Sequence, residues 1–496
     1  MERFTIQWDK LVDVLKFDPT NPLLFNTGLF LLLFVFLLLI YKLLRKARTL
    51  RMIVVILFSL YFYYKSSAEY CFILLGVCVS DYVIGRLMEG SAHRWQQRCL
   101  LLLNILLNVG MLVYFKYLNL LIDTVREFTT LKFDALDIIL PAGISFFAFR
   151  SISYIVDIYR GDIKACRNFL DYTFFLTFFP PLLMGPVVRA KDMLPQIAAD
   201  RVATRAQVAE GLFLIMAGLV KKVVVADFIS GNFVDRVFDN PALYSGFENI
   251  MAIYGFTIQL YCDFSGYSDI AIGIALLLGF RFKDNFRAPF KSQSPTEFWH
   301  RWHISLSSWL RDYVYIPLGG NRCGHLRHGF NLMATMVIGG LWHGASWMFM
   351  IWGALHGAFL VAHKEIKRIF PVLDREKKQQ RWRVALNIFV TFNIIAFTFM
   401  FFRAESLTHV SDMTHQIINE FHIEVAPQFF AGYLTIMLAM LFGYVIHFLP
   451  RRWTVGAIAR YKATPLVVQA LILALVILLI IQVRQSDIVP FLYLKY

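Results

Sequence analysis

An all-α, multi-pass integral membrane helical bundle is the fold class this sequence predicts, and three observations predict it. Hydrophobic residues make up 58% of the 496 and charged residues only 17%, where an ordinary soluble domain carries about a quarter. Mean hydropathy is +0.57, and apolar runs of membrane-spanning length recur along the chain. The 49 Lys and Arg, against 34 Asp and Glu, cluster between those runs. That is topogenic charge at a cytoplasmic, anionic lipid surface, not a nucleic-acid footprint. Residues 23–483 therefore read as one membrane domain, preceded by an extension over 1–22 and followed by a tail over 484–496.

In chain order, Phe4–Phe17 places Leu11, Val12, Val14 and Leu15 at helical spacing, which suits a helix lying on the membrane rather than a cleaved leader. Leu23–Leu44 is the first span. It ends at Lys42, Arg45, Lys46, Arg48 and Arg51, so its C-terminal end faces the cytoplasm and the N-terminus lies outside. Met52–Tyr64 and Tyr70–Leu87 form a hairpin around KSSAE, and Leu100–Val125 goes out again. Ile138–Tyr159 returns. Phe169–Val188 has basic residues at both ends and contains Pro180, Pro181, Gly185 and Pro186, the pattern of a re-entrant segment whose broken backbone is buried in protein.

Gly211–Phe228 crosses while carrying Lys221 and Lys222, and Asn249–Phe280 is expected to break at DFSGYSD. Residues 281–329 form an amphipathic cytoplasmic-face segment dense in Arg, His and Trp. Phe330–His363 dips in and returns, Val384–Phe402 goes out, Phe430–Leu449 returns and Leu466–Gln482 goes out. The sum is roughly ten or eleven spans plus re-entrant and interfacial helices, with both termini outside. The six cysteines are scattered and form no CxxC, so neither a disulfide framework nor a cysteine zinc site is expected.

Three stretches break the apolar rule. The first, QLYCDFSGYSDIAIG (Gln259–Gly273), holds Asp263 and Asp269. A carboxylate in a span costs about 2.5–3.5 kcal/mol on insertion scales, so it faces a partner or a cavity, or else caps a half-helix at a break. The second, FWHRWHISLSSWLRDYVYIPLGGNR (Phe298–Arg322), puts His300 and His303 three apart, on one face of a helix if the segment is helical. Trp299, Trp302 and Trp309 suit the headgroup level, and Arg301, Arg311 and Arg322 suit phosphates. An interfacial amphipathic helix with aromatic anchors explains the same composition.

The third, LWHGASWMFM (Leu341–Met350), places His343 in a nearly uncharged run. A lone histidine there is more often a hydrogen-bonded core residue than a catalyst. Gly339, Gly340, Gly344 and Ala345 around it permit close approach of a substrate or another backbone. An imidazole removed from water stays uncharged, able to take a proton from a hydroxyl. No GxSxG elbow supplies a serine nucleophile. The HxxH pairs His300/His303 and His325/His328 have few carboxylate neighbours in the sequence, so no metal is assigned.

These stretches, with PAGISFFAFRSISYIVDIYRG, FFPPLLMGPVVRA and GLVKKVVVADF, resemble the membrane-bound O-acyltransferase (MBOAT) family. The likeness is strongest to its bacterial alginate O-acetylation branch, and the D-alanyl transfer branch is more distant. It runs in order from about Leu23 to the last spans. The resemblance implies O-acetylation of an extracellular or cell-surface polysaccharide, from a bacterial cytoplasmic (inner) membrane. The acetyl group would come from a cytosolic thioester, acetyl-CoA or an acyl-carrier protein, with no permanently bound cofactor. The implied partner is an extracytoplasmic SGNH-type acetyltransferase or another polysaccharide-modifying protein, in contact with membrane lipid.

The family's histidine falls on His343 as catalytic base, and its second polar position falls on His303. Arg287, Lys291 and Arg311 are the candidates for CoA phosphates, and Asp263 and Asp312 for support behind the histidines. Arg150, Pro181, Cys262 and the N-terminal extension depart from the pattern. The alternatives weighed are D-alanyl or other acyl transfer, a transporter without chemistry, and a di-iron membrane oxidase.

Overall fold

A computed structural model describes residues 13–129, 134, 136–370 and 380–483. The surface helix expected over Phe4–Phe17 falls mostly outside the described residues, and the tail 484–496 wholly. Every regular element among the described residues is helical, as a bilayer requires of chains that satisfy their own backbone. The chain divides into two compact units, one of Met1–Met184 with Val188–Val202, the other of Gly185–Val187 with Ala203–Tyr496.

In the first unit, helices Gly28–Leu43, Arg48–Ser67, Cys71–Gly90 and Arg94–Leu112 are followed by Ile144–Arg160 and Phe169–Thr177. Phe25 stacks on Phe62 in its apolar core (centroids 5.4 Å apart), and Phe179 packs tilted against Phe62 (5.7 Å). Its polar centre is Asp81, fully buried. Its side-chain oxygens accept from Asn104 (2.7 Å), Ser151 (2.8 Å) and Tyr172 (2.6 Å), so one buried acid group ties four helices together and has its hydrogen bonds satisfied by them. Arg150 is also fully buried. Its Nη2 donates to the Phe175 carbonyl and its guanidinium lies over the Phe175 ring, 4.8 Å from the centroid. The segment expected to re-enter starts as the helix Phe169–Thr177, then abandons helical geometry over Phe178–Met184, with every side chain there buried.

The second unit is organised on Gly246–Leu277, an unbroken helix of 32 residues, about 48 Å long. The break expected at DFSGYSD is absent. The aspartates do not need one, because the neighbouring helix neutralises both. Lys222 reaches Asp263 (2.6 Å) and Asp227 (2.7 Å), and Lys221 reaches Asp269 (2.7 Å). Two consecutive lysines serve the same neighbouring helix because Val220–Asp227, which continues Arg205–Leu219, is wound as π-helix, an i→i+5 geometry often found at functional sites. The two helices approach to backbone contact. A Cβ on Gly218 would stand 2.5 Å from the Gly266 carbonyl oxygen, and one on Gly211 would stand 2.7 Å from that of Gly273, the small-residue packing of membrane helices.

By length and apolarity, five helices among the described residues qualify as spans, six if the bent pair Ile423–Gly432 and Leu434–Phe448 is one. This is fewer than the runs counted in the sequence. The remainder are short, like Gly28–Leu43, or carry polar groups that the protein itself pairs, as Lys221 and Lys222 do.

Candidate active site

His343 is the last residue of helix His325–His343, which a short turn joins to helix Trp347–Ile369, capped by Ser346. The hairpin closes through glycines. A Cβ on Gly340 would stand 2.2 Å from the Phe349 carbonyl oxygen, and one on Gly353 would stand 2.4 Å from that of Met336. Backbone meets backbone there, and His343 is set one helical turn beyond Gly340. Gly340→Ala is therefore expected to force the hairpin apart, at about 1–3 kcal/mol of overpacking. Activity should fall with it, although residue 340 bears no chemistry; thermal melting and turnover of the same preparation measure both. Wild-type melting and turnover together would refute this account of the hairpin.

His343 is buried in an aromatic enclosure. Its ring centroid lies 5.0 Å from that of Trp342, 5.1 Å from Trp352 and 5.5 Å from Phe402, all edge-on. His356 extends this wall, 4.7 Å from Trp352. Trp299 donates to His356 Nδ1 (3.3 Å). Thr398 Oγ1 lies 3.1 Å from His356 Nε2 and gives its own proton to the Ile395 carbonyl, so the imidazole donates to it from Nε2. His356 is thus a neutral ring with both nitrogens engaged, locking Trp299 to the histidine hairpin. Sequence reasoning passed over it, although the LHG around it, again a histidine beside glycine in an apolar run, is the same kind of signal as LWHG.

His303 is placed differently from the expectation. Helix Pro295–Arg301 ends before it, Trp302 is extended, and His303 takes φ 42 as the N-cap of Ile304–Leu310. His300 and His303 therefore do not share a helix face: His300 is exposed and His303 is 0% exposed. The tryptophans expected at the headgroup level, Trp299, Trp302 and Trp309, are all buried. Phe298 and Trp302 stack at 5.5 Å in the same core.

The left-handed backbone at a non-glycine residue is strained and is held by hydrogen bonds on both sides. Ile304 donates to the Asn285 carbonyl (2.9 Å), Ser305 Oγ to Asn285 Oδ1 (2.8 Å), and Asn285 Nδ2 to Ser268 of the long helix (3.0 Å). The His303 ring lies 4.6 Å from Phe264 and 5.7 Å from Trp342. Both histidines therefore rest against one indole.

The protonation of His303 follows from its contacts. Its Nδ1 accepts the Leu306 N–H (3.4 Å), so the neutral ring carries its proton on Nε2. Burial pushes the imidazole down to about 3, which keeps it neutral at any physiological pH. Nε2 is buried with no hydrogen-bond partner among the described residues. The result is a fixed N–H donor that none of the described residues accepts.

The remaining expected site residues are held locally. Asp263 pairs with Lys222 (2.6 Å), and Asp312 with Arg311 (2.7 Å). Arg287 faces Asp284 (3.4 Å), which Arg451 also approaches (3.6 Å). Lys291 donates to the Leu449 carbonyl (2.8 Å). His447, two residues earlier, accepts from Phe290 N–H (3.1 Å), so the C-terminus of helix Leu434–Phe448 is pinned to the Arg287–Lys291 turn. Nothing in the sequence pairs His447 with Phe290. Among the described residues no three His, Cys, Asp or Glu side chains gather as a metal site. His328 instead faces the Lys364 ammonium at 2.8 Å.

Residues 163–403 match the model of the MBOAT, membrane-bound O-acyltransferase, family. Over 394 residues the chain is 41% identical to the probable alginate O-acetylase AlgI of Pseudomonas aeruginosa, covering 77% of this chain and 72% of that protein. It is 35% identical over 378 residues to the peptidoglycan O-acetyltransferase of Helicobacter pylori, 71% of each. It is 30% identical over 282 residues to the teichoic acid D-alanyltransferase of Streptococcus thermophilus, 52% of this chain and 67% of that protein.

Proposed function

From the premise that the chain belongs to the membrane-bound O-acyltransferase family, and so is a multi-pass membrane O-acyltransferase, we propose that it moves acetyl groups from a cytosolic thioester toward a polysaccharide outside the cytoplasmic membrane. Its similarity to an alginate O-acetylase and a peptidoglycan O-acetyltransferase supports the acetyl group and the polysaccharide class. His343 is the general base: it takes the proton of the incoming hydroxyl as the oxygen attacks the thioester carbonyl. His303 donates from Nε2 to the oxygen that gains charge. The thiolate leaves and recovers the proton. Arg287 and Lys291, with Arg451 nearby, form a basic rim that suits the phosphates of acetyl-CoA or of a carrier-bound pantetheine. Arg311 adds a further cation, and Asp263 and Asp312 steady the elements behind the histidines. An exported SGNH-type transferase or another polysaccharide-modifying protein receives the acetyl group.

The observation that carries this reading is the buried, unpartnered N–H of His303 held against the same indole as His343. Donation, not base catalysis, is the role that its contacts leave open. His303→Gln, which keeps an N–H donor, is expected to retain at least tenfold more activity than His303→Ala, which removes one of the interactions worth about 10²–10³ in rate. Transfer of labelled acetyl from acetyl-CoA in inverted membrane vesicles measures both. Equal activities would remove the donor role.

A second reading, D-alanyl transfer, is favoured by the similarity to the teichoic acid D-alanyltransferase. Vesicles that use a D-alanyl carrier thioester and ignore acetyl-CoA would decide for it.

A further inference from the structure

Trp352 is 1% exposed, and its indole Nε1 has no hydrogen-bond partner among the described residues. Buried indole N–H groups ordinarily find an acceptor. This one lies in helix Trp347–Ile369 with its ring against His343 (5.1 Å), His356 (4.7 Å), Phe402 (5.1 Å) and Trp299 (5.9 Å). These neighbours offer aromatic faces and edges. Of the two imidazoles among them, His356 already receives the Trp299 N–H on Nδ1 and gives its Nε2 proton to Thr398. Among the described residues, His303 Nε2 and Trp352 Nε1 are both buried N–H donors without an acceptor, the one against Trp342 and the other against His343. A carbonyl oxygen has two lone pairs and takes two donors at once.

We propose that Trp352 is a catalytic residue whose Nε1–H is the second donor to the acyl carbonyl oxygen of the thioester. The inference rests on the acyl-transfer reading with His343 as base. The acceptor hydroxyl oxygen forms the C–O bond to the carbonyl carbon while His343 removes its proton. The carbonyl π pair moves onto oxygen and is held there by the N–H groups of His303 and Trp352. Collapse restores the C=O, breaks the C–S bond, and the departing sulfur takes the proton from His343. The ligand class is thus a thioester carbonyl, and the aromatic walls exclude water that would otherwise hydrolyse it.

The test replaces Trp352 by β-(3-benzothienyl)alanine, which keeps the bicyclic shape and substitutes sulfur for N–H, in the full chain. Inverted membrane vesicles are assayed with acetyl-CoA, beside Trp352→Phe and His343→Ala. The isostere is expected to lower kcat about 100-fold. The KM for acetyl-CoA should stay within about twofold of wild type, and detergent elution and melting should be unchanged. Wild-type kcat in the isostere enzyme overturns the proposal while leaving the acyl-transfer reading intact, provided His343→Ala is inactive. An active His343→Ala overturns the reading itself, and this inference with it. Should the isostere fail to accumulate, Trp352→Phe decides: a loss confined to kcat in a folded protein supports the donor, and an unchanged kcat removes it.

Discussion

His343→Ala is expected to lower acyl transfer by about 10³-fold, within the 10²–10⁴ range of a positioned general base, while the chain still inserts and folds. His343 ends its helix, so the substitution removes no helix-interior side chain. The surrounding wall of Trp342, Trp352 and Phe402 is built on other contacts, among them Trp352 to His356 and Phe349 to Phe402 (5.0 Å). The loss should therefore appear in kcat, with melting close to wild type. His343→Gln keeps polarity and much of the volume but offers no comparable base, and should be as inactive as alanine. Wild-type transfer by either variant, measured on the polysaccharide or in vesicles, would end the base assignment.

The largest stability effect is expected at Lys222. Its ammonium is 1% exposed and lies between two carboxylates that are 4% and 12% exposed, those of Asp263 and Asp227. Lys222→Met fills a similar volume but leaves both aspartates buried without their counter-ion. Removing one partner of a buried pair costs about 3–5 kcal/mol, a large share of the 5–15 kcal/mol that holds an ordinary domain together. The variant should lose its monodisperse peak in detergent or melt far below wild type. Lys222→Met combined with Asp227→Asn and Asp263→Asn removes the uncompensated charge and should recover most of the loss. If the single variant melts like wild type, the pair is not what neutralises the long helix. If the triple variant is no better than the single, repacking rather than charge is at fault.

How much of this was legible in the sequence depended on whether a feature was local or paired. The membrane class follows from composition along single runs. The resemblance, carried by contiguous motifs, also pointed to His343 and His303 before any geometry was known. Paired features were not legible. Asp263 and Asp269 looked like helix breakers because their lysines are 41 and 48 residues earlier in the chain, and nothing in a linear reading joins them. His303 looked like a helical neighbour of His300 because a non-glycine residue seldom takes a positive φ. That turn exists only because Asn285 and Ser268 hold it. Trp299, Trp302 and Trp309 looked interfacial because tryptophan beside arginine usually is. Here Arg311 and Arg322 are exposed, while all three indoles are buried, Trp299 and Trp302 within the core of the second unit. His356 and Trp352 are ordinary apolar-run residues in the sequence, and only their unmatched or doubly matched nitrogens single them out.

The wide winding of Val220–Asp227, resumed over Ser230–Val234, has a consequence for how this protein can change over evolutionary time. Each such turn holds one residue more than an α-turn, so the segment is a place where the chain can shorten by a residue without any gap opening at its ends. The ladder would simply tighten. The helical stretches on either side would keep their faces, because the lost residue comes out of the wide turn, while the lysine pair inside the segment would no longer address one neighbour. A single-residue deletion here would scarcely alter hydropathy or the flanking packing, yet would rewire which carboxylates are neutralised.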